Sequence, residues 1–440
     1  MATFETVLHP AMDLASMRQL GNVRTRRVQV NPESGTTFAL SGTQNQEVFF
    51  SLPAGGSSTM INGMNSYLTY DIVFDCGAAE TVGFSNADAN SVIRSLETTV
   101  SGTTVEQIER YNVLSACFSD FKDVSKARNL DSIMMGGALQ SASSSKQPRE
   151  FADGGYCRVA VPIYSAFYGV LSQGQYAVST DGIRMRFVLE APDTALISGG
   201  GGTLGYTLTN VALMMEYVDV EPAVFQQLVS EAGGVLKTAG IGVANFSTTL
   251  TAGTTSNSIL IPARKSAVKH IWNILRRSDI LTASNRNSTG SRLFPNARQY
   301  YYTIAGKQYP SVPIRASNAG ATAFAGGEVM AELLKTMRNL HANNVDTVFD
   351  APAYLDNAGL LETSAHILGY SFETDEDPLT ISGIDTNSSN IYLQIDSATT
   401  SVGSPTASTG IPVACTLDSF VFYDAILTTD IASGQVSIIQ

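Results

Sequence analysis

A chain of 440 residues, 44% of them hydrophobic, carries more than one ordinary core and is expected to divide into two domains. Charged residues reach only 15%, against roughly 25% in an average globular protein, so much of the surface is expected to be covered, most simply by further copies of the chain. The net charge of -12 excludes a protein whose main task is to grip phosphate backbones, and sequence-specific nucleic acid is not an expected partner.

In chain order, the first feature is a basic cluster, Arg24, Arg26 and Arg27, in an expected N-terminal arm over 1–35. A strand follows at 46–52. Leu68, Tyr70, Ile72 and Phe74 then recur at every second position, as a half-buried strand requires. Another strand is predicted at 92–100. A helix is expected over 105–118, with Thr104 and Gln107 placed for a capping box and Val105, Ile108, Tyr111 and Leu114 along one stripe. A long loop, 119–155, leads to Ile183, Met185, Phe187 and Leu189, which alternate again, and to a strand at 206–219. Pro222 announces a second helix, which Gly233-Gly234 ends; with the small residues up to Ala244 it forms an expected helical linker over 221–245. Beyond it, strands are predicted at 257–262, 267–276, 299–305, 365–373, 390–396 and 415–428. Loops at 277–298 and 340–363 and a third helix over 327–339 interrupt them. Short strands with turn-rich connections point to an all-β sandwich or barrel.

The second half echoes the first. Phe50-Ser51-Leu52-Pro53-Ala54 is answered by Ile259-Leu260-Ile261-Pro262-Ala263, Thr99-Val100-Ser101-Gly102 by Thr303-Ile304-Ala305-Gly306, and Tyr206-Thr207-Leu208 by Cys415-Thr416-Leu417. Three matches in one order at nearly one offset imply two copies of one all-β domain, here 36–220 and 246–440.

With the stretch from Ser95 to Leu114, Glu216-Tyr217-Val218-Asp219 before Glu221-Pro222, Asn245-Phe246-Ser247, Gly306-Lys307 with Tyr309-Pro310, Ser382-Gly383-Ile384-Asp385 and Phe422-Tyr423-Asp424-Ala425, the chain resembles the double jelly-roll major capsid proteins of adenoviruses, tailless membrane-containing phages, virophages and polinton-like viruses. The resemblance implies two tandem eight-stranded antiparallel jelly rolls with a few short helices. It also implies a homotrimer that tiles an icosahedral shell as a pseudo-hexagonal unit, beside neighbouring trimers, penton and minor capsid proteins and, in some members, over a membrane. Loops 119–155 and 340–363 would be tower candidates. The expected location is the virion, after synthesis in the host cytoplasm.

No chemistry competes strongly with a structural role. The histidines, His9, His270, His341 and His366, show no HxH or HExxH spacing, and His270 near Trp272 reads as a packed core residue. The glycine run 199–202 precedes a strand rather than a helix, Gly306-Lys307 lacks the rest of a phosphate loop, and Thr374-Asp375-Glu376-Asp377 reads as a solvated acidic turn. Cys76, Cys117, Cys157 and Cys415 have no CxxC spacing and are expected as buried free thiols in a reducing compartment. There is no basic-then-apolar leader and no apolar run of about 18 residues, so sequons at Asn245, Asn287 and Asn387 carry little weight. No catalytic, cofactor-binding or metal residue is expected. A β-sandwich receptor- or glycan-binding spike or adhesin is the alternative, which the single tryptophan disfavours; a two-domain jelly-roll enzyme is a third.

Overall fold

The computed structural model describes residues 23–56, 58–77, 80–85, 88–121, 132–139, 146–200, 202–279, 287–293, 297–316, 326–337, 362–363, 366–373, 382–397 and 410–440. Two sets of eight strands dominate it. The first comprises β1 (Val23–Val30), β2 (Glu47–Ser51), β3 (Thr59–Asp75), β4 (Ile93–Val100), β5 (Thr103–Ile108), β6 (Tyr156–Pro162), β7 (Ile183–Leu189) and β8 (Gly205–Val220). Their sheets run β1-β8-β3-β6 and β2-β7-β4-β5. The second set comprises β9 (Val235–Leu250), β10 (Ser256–Ile261), β11 (Val268–Arg277), β12 (Ala297–Ile304), β13 (Lys307–Arg315), β14 (Leu368–Ser371), β15 (Ile391–Ser397) and β16 (Cys415–Asp430). Its sheets run β9-β16-β11-β14 and β10-β15-β12-β13, the same antiparallel path written again.

The echoed residues occupy equivalent places. Phe50 and Ile259 stand on β2 and β10, and Tyr206 and Cys415 open β8 and β16. Ser101 and Gly102 have φ of 50° and 80°, and Ala305 and Gly306 have 50° and 76°. Two successive positive φ angles make the two-residue turn whose twist suits a hairpin, and glycine, with no Cβ, holds the second of them at no steric cost. The echo therefore encodes the β4–β5 and β12–β13 hairpins.

Alternation fixes the inside of each sandwich. Leu68, Tyr70, Ile72, Phe74, Met185 and Phe187 are buried in the first. Ile271, Leu275, Tyr302, Leu393, Leu417 and Val421 are buried in the second, and the two interiors join in one continuous cluster. Among the described residues three ten-residue helices accompany the strands: α1 (Tyr111–Asp120), α2 (Pro222–Glu231) and α3 (Gly327–Thr336). Pro222 takes the first turn of α2 as expected, and Gly233 and Gly234, at φ 65° and 85°, turn the chain into β9.

Three expectations need correction. The helix expected over 105–118 starts at Tyr111, because the Ser101-Gly102 turn folds Thr103–Ile108 back onto Leu96–Val100 as β5. A residue spacing of three, from Val105 to Ile108, imitated a helix where a register shift lies in the strand pair. The linker expected over 221–245 contains α2, but Val235–Leu250 pairs with β16 along its whole length. Its glycines mark close approaches: a Cβ on Gly240 would lie 1.9 Å from the Ala166 carbonyl oxygen, and one on Gly242 2.5 Å from the Tyr423 ring. Finally, Val23–Val30 of the expected arm is a strand paired with β8, so Arg24, Arg26 and Arg27 stand on a sheet edge. Most of loop 340–363 lies outside the described residues, as do 122–131 and 140–145 of loop 119–155, whose described part holds a short helix, Ser132–Met135, and a strand pair, Gly137–Leu139 with Lys146–Pro148.

Candidate assembly surfaces

The two sandwiches meet along a seam that no sequence pattern announced. On the second, β11 and β16 turn Trp272, His270 and Phe422 away from their own core; His270 stacks on Phe422 at 4.3 Å between centroids, and Trp272 meets it edge-on at 4.7 Å. Helix α1 of the first brings Phe118 onto this face, 5.3 Å from Trp272 and 6.0 Å from Phe422. Trp272 is 2% exposed, and its indole N–H donates to Thr336 Oγ1 at 2.8 Å. His270, expected as a packed core residue, is 8% exposed within this aromatic stack.

Polar contacts fix the register of the seam. The Arg292 guanidinium pairs with Asp120 at the end of α1, and both side chains are buried. Ser85 Oγ donates to Asn287 Oδ1 at 2.9 Å, Thr289 Oγ1 donates to Ser85 Oγ at 2.8 Å, and Ser288 Oγ donates to the Thr194 carbonyl at 2.8 Å. Within the second sandwich, Asp418 accepts from Arg276 Nε at 2.8 Å, and Lys269 lies 2.9 Å from Glu373 and 3.1 Å from Asp424. Buried charges of this kind hold a geometry, because losing either partner strands the other in low dielectric.

Beneath the seam, Glu106 of β5 accepts from Ser165 Oγ and from the Ala166 amide, each at 2.6 Å. Burial pushes its carboxyl up from 4.5 to about 7, while these donors and Thr98 pull it down. Between those pH values the folded chain holds a proton that the unfolded chain has released. Stability therefore falls as pH rises through this window, by on the order of 3 kcal/mol in full, and no further above it. In Glu106→Gln that slope should disappear from urea midpoints compared at about pH 5 and about pH 8. A slope equal to the parent's would assign the titration to another group.

The outer faces of the two equivalent sheets differ. On β2-β7-β4-β5, Arg186 pairs with Glu47 at 2.9 Å and with Glu97, while Arg184 pairs with Glu33 at 2.7 Å and lies over the Phe49 ring. On β10-β15-β12-β13, Gln394 donates to Ser258 at 2.7 Å, Gln299 donates to Asp396 at 2.9 Å, and Leu260 is paired across from Tyr392, both exposed.

No protein-family model matches the chain, and no curated protein matches it. Solved structures do. A chain from the PBCV-1 virus capsid superposes with a TM-score of 0.58 at 11% identity, over 95% of this chain and 97% of that one. The Faustovirus major capsid protein gives 0.57 at 8% identity, over 92% and 90%, and a chain of the Sputnik virophage structure gives 0.54 at 12%, over 99% and 93%. Together with the repeated strand path, this decides the architecture. The chain is a double jelly roll.

Chemistry is sparse on this double jelly roll. Among the described residues no three His, Cys, Asp or Glu side chains are grouped to hold a metal ion. The glycine run approaches a carboxylate: a Cβ on Gly200 would lie 2.1 Å from Glu80 Oε1, so the negative side chain stands where a phosphate would have to enter. Gly306-Lys307 belongs to the β12–β13 hairpin. The acidic turn Thr374-Asp375-Glu376-Asp377, His9 and His341 lie outside the described residues, and His366 is buried. All four cysteines are free; Cys76, Cys117 and Cys415 are buried and Cys157 is half-buried, and burial pushes the Cys415 thiol up to about 12. A thiol held that high is a packing group, not a nucleophile. No described helix is long and apolar enough to cross a membrane.

Proposed function

We propose that the protein is a major capsid protein, the structural subunit of an icosahedral virion shell, which assembles as homotrimers of pseudo-hexagonal outline. The observation that carries this reading is the duplication itself. One strand path occurs twice in a chain, and the two copies are locked by a buried aromatic and ionic seam rather than tethered by a free linker. Three such chains supply six similar wedges around one axis, and closed cyclic symmetry is the usual route to such an object. The likeness to capsid chains of three viruses at TM-scores of 0.54 to 0.58 supports the same reading.

In this reading the functional units are the first roll from β1 to β8, the connection through α2, and the second roll from β9 to the C-terminus. Its partners are further copies of the chain, first within the trimer and then in neighbouring trimers. Penton and minor capsid proteins complete the shell, and the protein resides in the virion. Sedimentation equilibrium of purified protein tests it: a species of three chain masses, or larger particles, is expected across a wide concentration range. A species of one chain mass at every concentration and salt would overturn it.

A further inference from the structure

Strand β11 lies between β16 and β14 in the second roll, and side chains from all three segments meet beside its first residues. Lys269 on β11 places its Nζ 3.1 Å from Asp424 Oδ1 on β16 and 2.9 Å from Glu373 Oε1, two residues past β14. The Lys269 side chain is 1% exposed, Glu373 5% and Asp424 16%. Backbone bonds hold the three segments: the Phe372 amide donates to the Lys269 carbonyl at 2.7 Å, and the Asp424 amide to the Ala267 carbonyl at 3.1 Å. The β11–β16 register slips between Val268 and His270, at Lys269 itself. Two carboxylates thus face one ammonium where water is scarce, a costly arrangement to keep. The fold does not require it. At the echo's offset of 209 positions Asp424 corresponds to Met215, an apolar residue buried in the first roll.

We infer that Lys269 and Asp424 condense into an isopeptide bond that ties β11 to β16, with Glu373 moving the protons. Glu373 carries one proton from the ammonium to Asp424, which leaves a free amine and a neutral carboxyl. The Nζ lone pair then attacks Asp424 Cγ and opens its C=O bond. Glu373 takes a second proton from the nitrogen and passes it to the hydroxyl, whose C–O bond breaks as water leaves. One ammonium and one carboxylate become a neutral amide and one water, and Glu373 ends as it began. No oxidant or cofactor enters. Amine and carboxyl held this close react as parts of one body, with effective molarities of roughly 10⁵–10⁸ M for well-oriented pairs. The partial exposure of Asp424 gives the water a way out. Loss of the charge pair relieves the cost of burying it. This inference does not depend on the assembly proposed above.

Intact-mass spectrometry of the purified full chain tests the bond. The parent should be lighter than its sequence by the mass of one water. Digestion with trypsin and then chymotrypsin should release the Lys269 peptide joined to the peptide that carries Asp424, and tandem fragmentation should place the link between those two side chains. Lys269→Met and Asp424→Ala should each hold the full sequence mass. Glu373→Gln, close to the parent in shape, should keep the parent's circular dichroism and also hold the full mass. A parent at its full sequence mass, or a link that runs from Lys269 to Glu373, would overturn the inference. A folded Glu373→Gln chain that loses water as completely as the parent would remove Glu373 from the reaction. The parent's own mass decides whether the bond exists, even where a variant fails to fold.

Discussion

Replacing Asp120 with alanine should lower the unfolding free energy by about 3–5 kcal/mol, one of the two largest effects expected of any single substitution here. Asp120 ends α1 in the first roll and faces Arg292 of the second; the two side chains are 5% and 0% exposed. In water each charge is solvated. In the seam the solvation is lost, and mutual attraction together with hydrogen bonding replaces it. Taking away the carboxylate removes the counter-charge from a guanidinium that water does not reach. Urea titration followed by tryptophan fluorescence reads the change directly, because Trp272 is the chain's single tryptophan and lies in the same seam. A loss below about 1 kcal/mol would mean that the pair behaves as a solvated surface bridge and that the rolls do not exclude water between them.

Trp272→Ala should cost a comparable amount, about 3–5 kcal/mol, for a different reason. The indole is 2% exposed and touches Phe118 and Phe422, so truncation leaves a cavity walled by aromatic rings from both rolls. Trp272→Phe separates the contributions. It keeps most of the bulk and forfeits the hydrogen bond to Thr336, which should cost about 1 kcal/mol plus a modest packing loss. Unfolding of the alanine variant, followed by circular dichroism, should also become less cooperative, with the second roll losing structure first. Equal stability of alanine and parent proteins would show that the seam contributes little to the fold.

The sandwiches were legible because their information is local. Leu68, Tyr70, Ile72 and Phe74 alternate, and all four are buried; Ile183, Met185, Phe187 and Leu189 do likewise. The repeated hairpin was legible because Ser101-Gly102 and Ala305-Gly306 satisfy one backbone demand. Strand β5 was missed because its identity depends on pairing with β4, while its apolar spacing suits a helix. Strand β9 was missed because Ala239, Gly240, Gly242 and Ala244 look like a flexible connection. Gly240 is small since the first roll's backbone passes over it at Ala166, and Gly242 since the Tyr423 ring of its own roll lies against it. The seam was illegible for a related reason. Asp120 and Arg292 are 172 positions apart, and nothing near either residue marks the other as its partner. Phe118 on α1 read as one more apolar residue of a helix, although its ring meets the second roll. Glu106 lies in a strand read as a helix, and its partners Ser165 and Ala166 are about 60 positions away. Contacts between domains are written in pairs of distant residues, and a single sequence shows each member without the other.

Negative-stain electron microscopy of the purified assemblies tests most directly the claim that one roll, doubled, builds a six-sided tile. Class averages down the symmetry axis should show three chains as six lobes of similar size around a centre, with threefold symmetry on closer alignment. Averages dominated by isolated two-lobed particles, or by rings whose lobe number is not six, would contradict it.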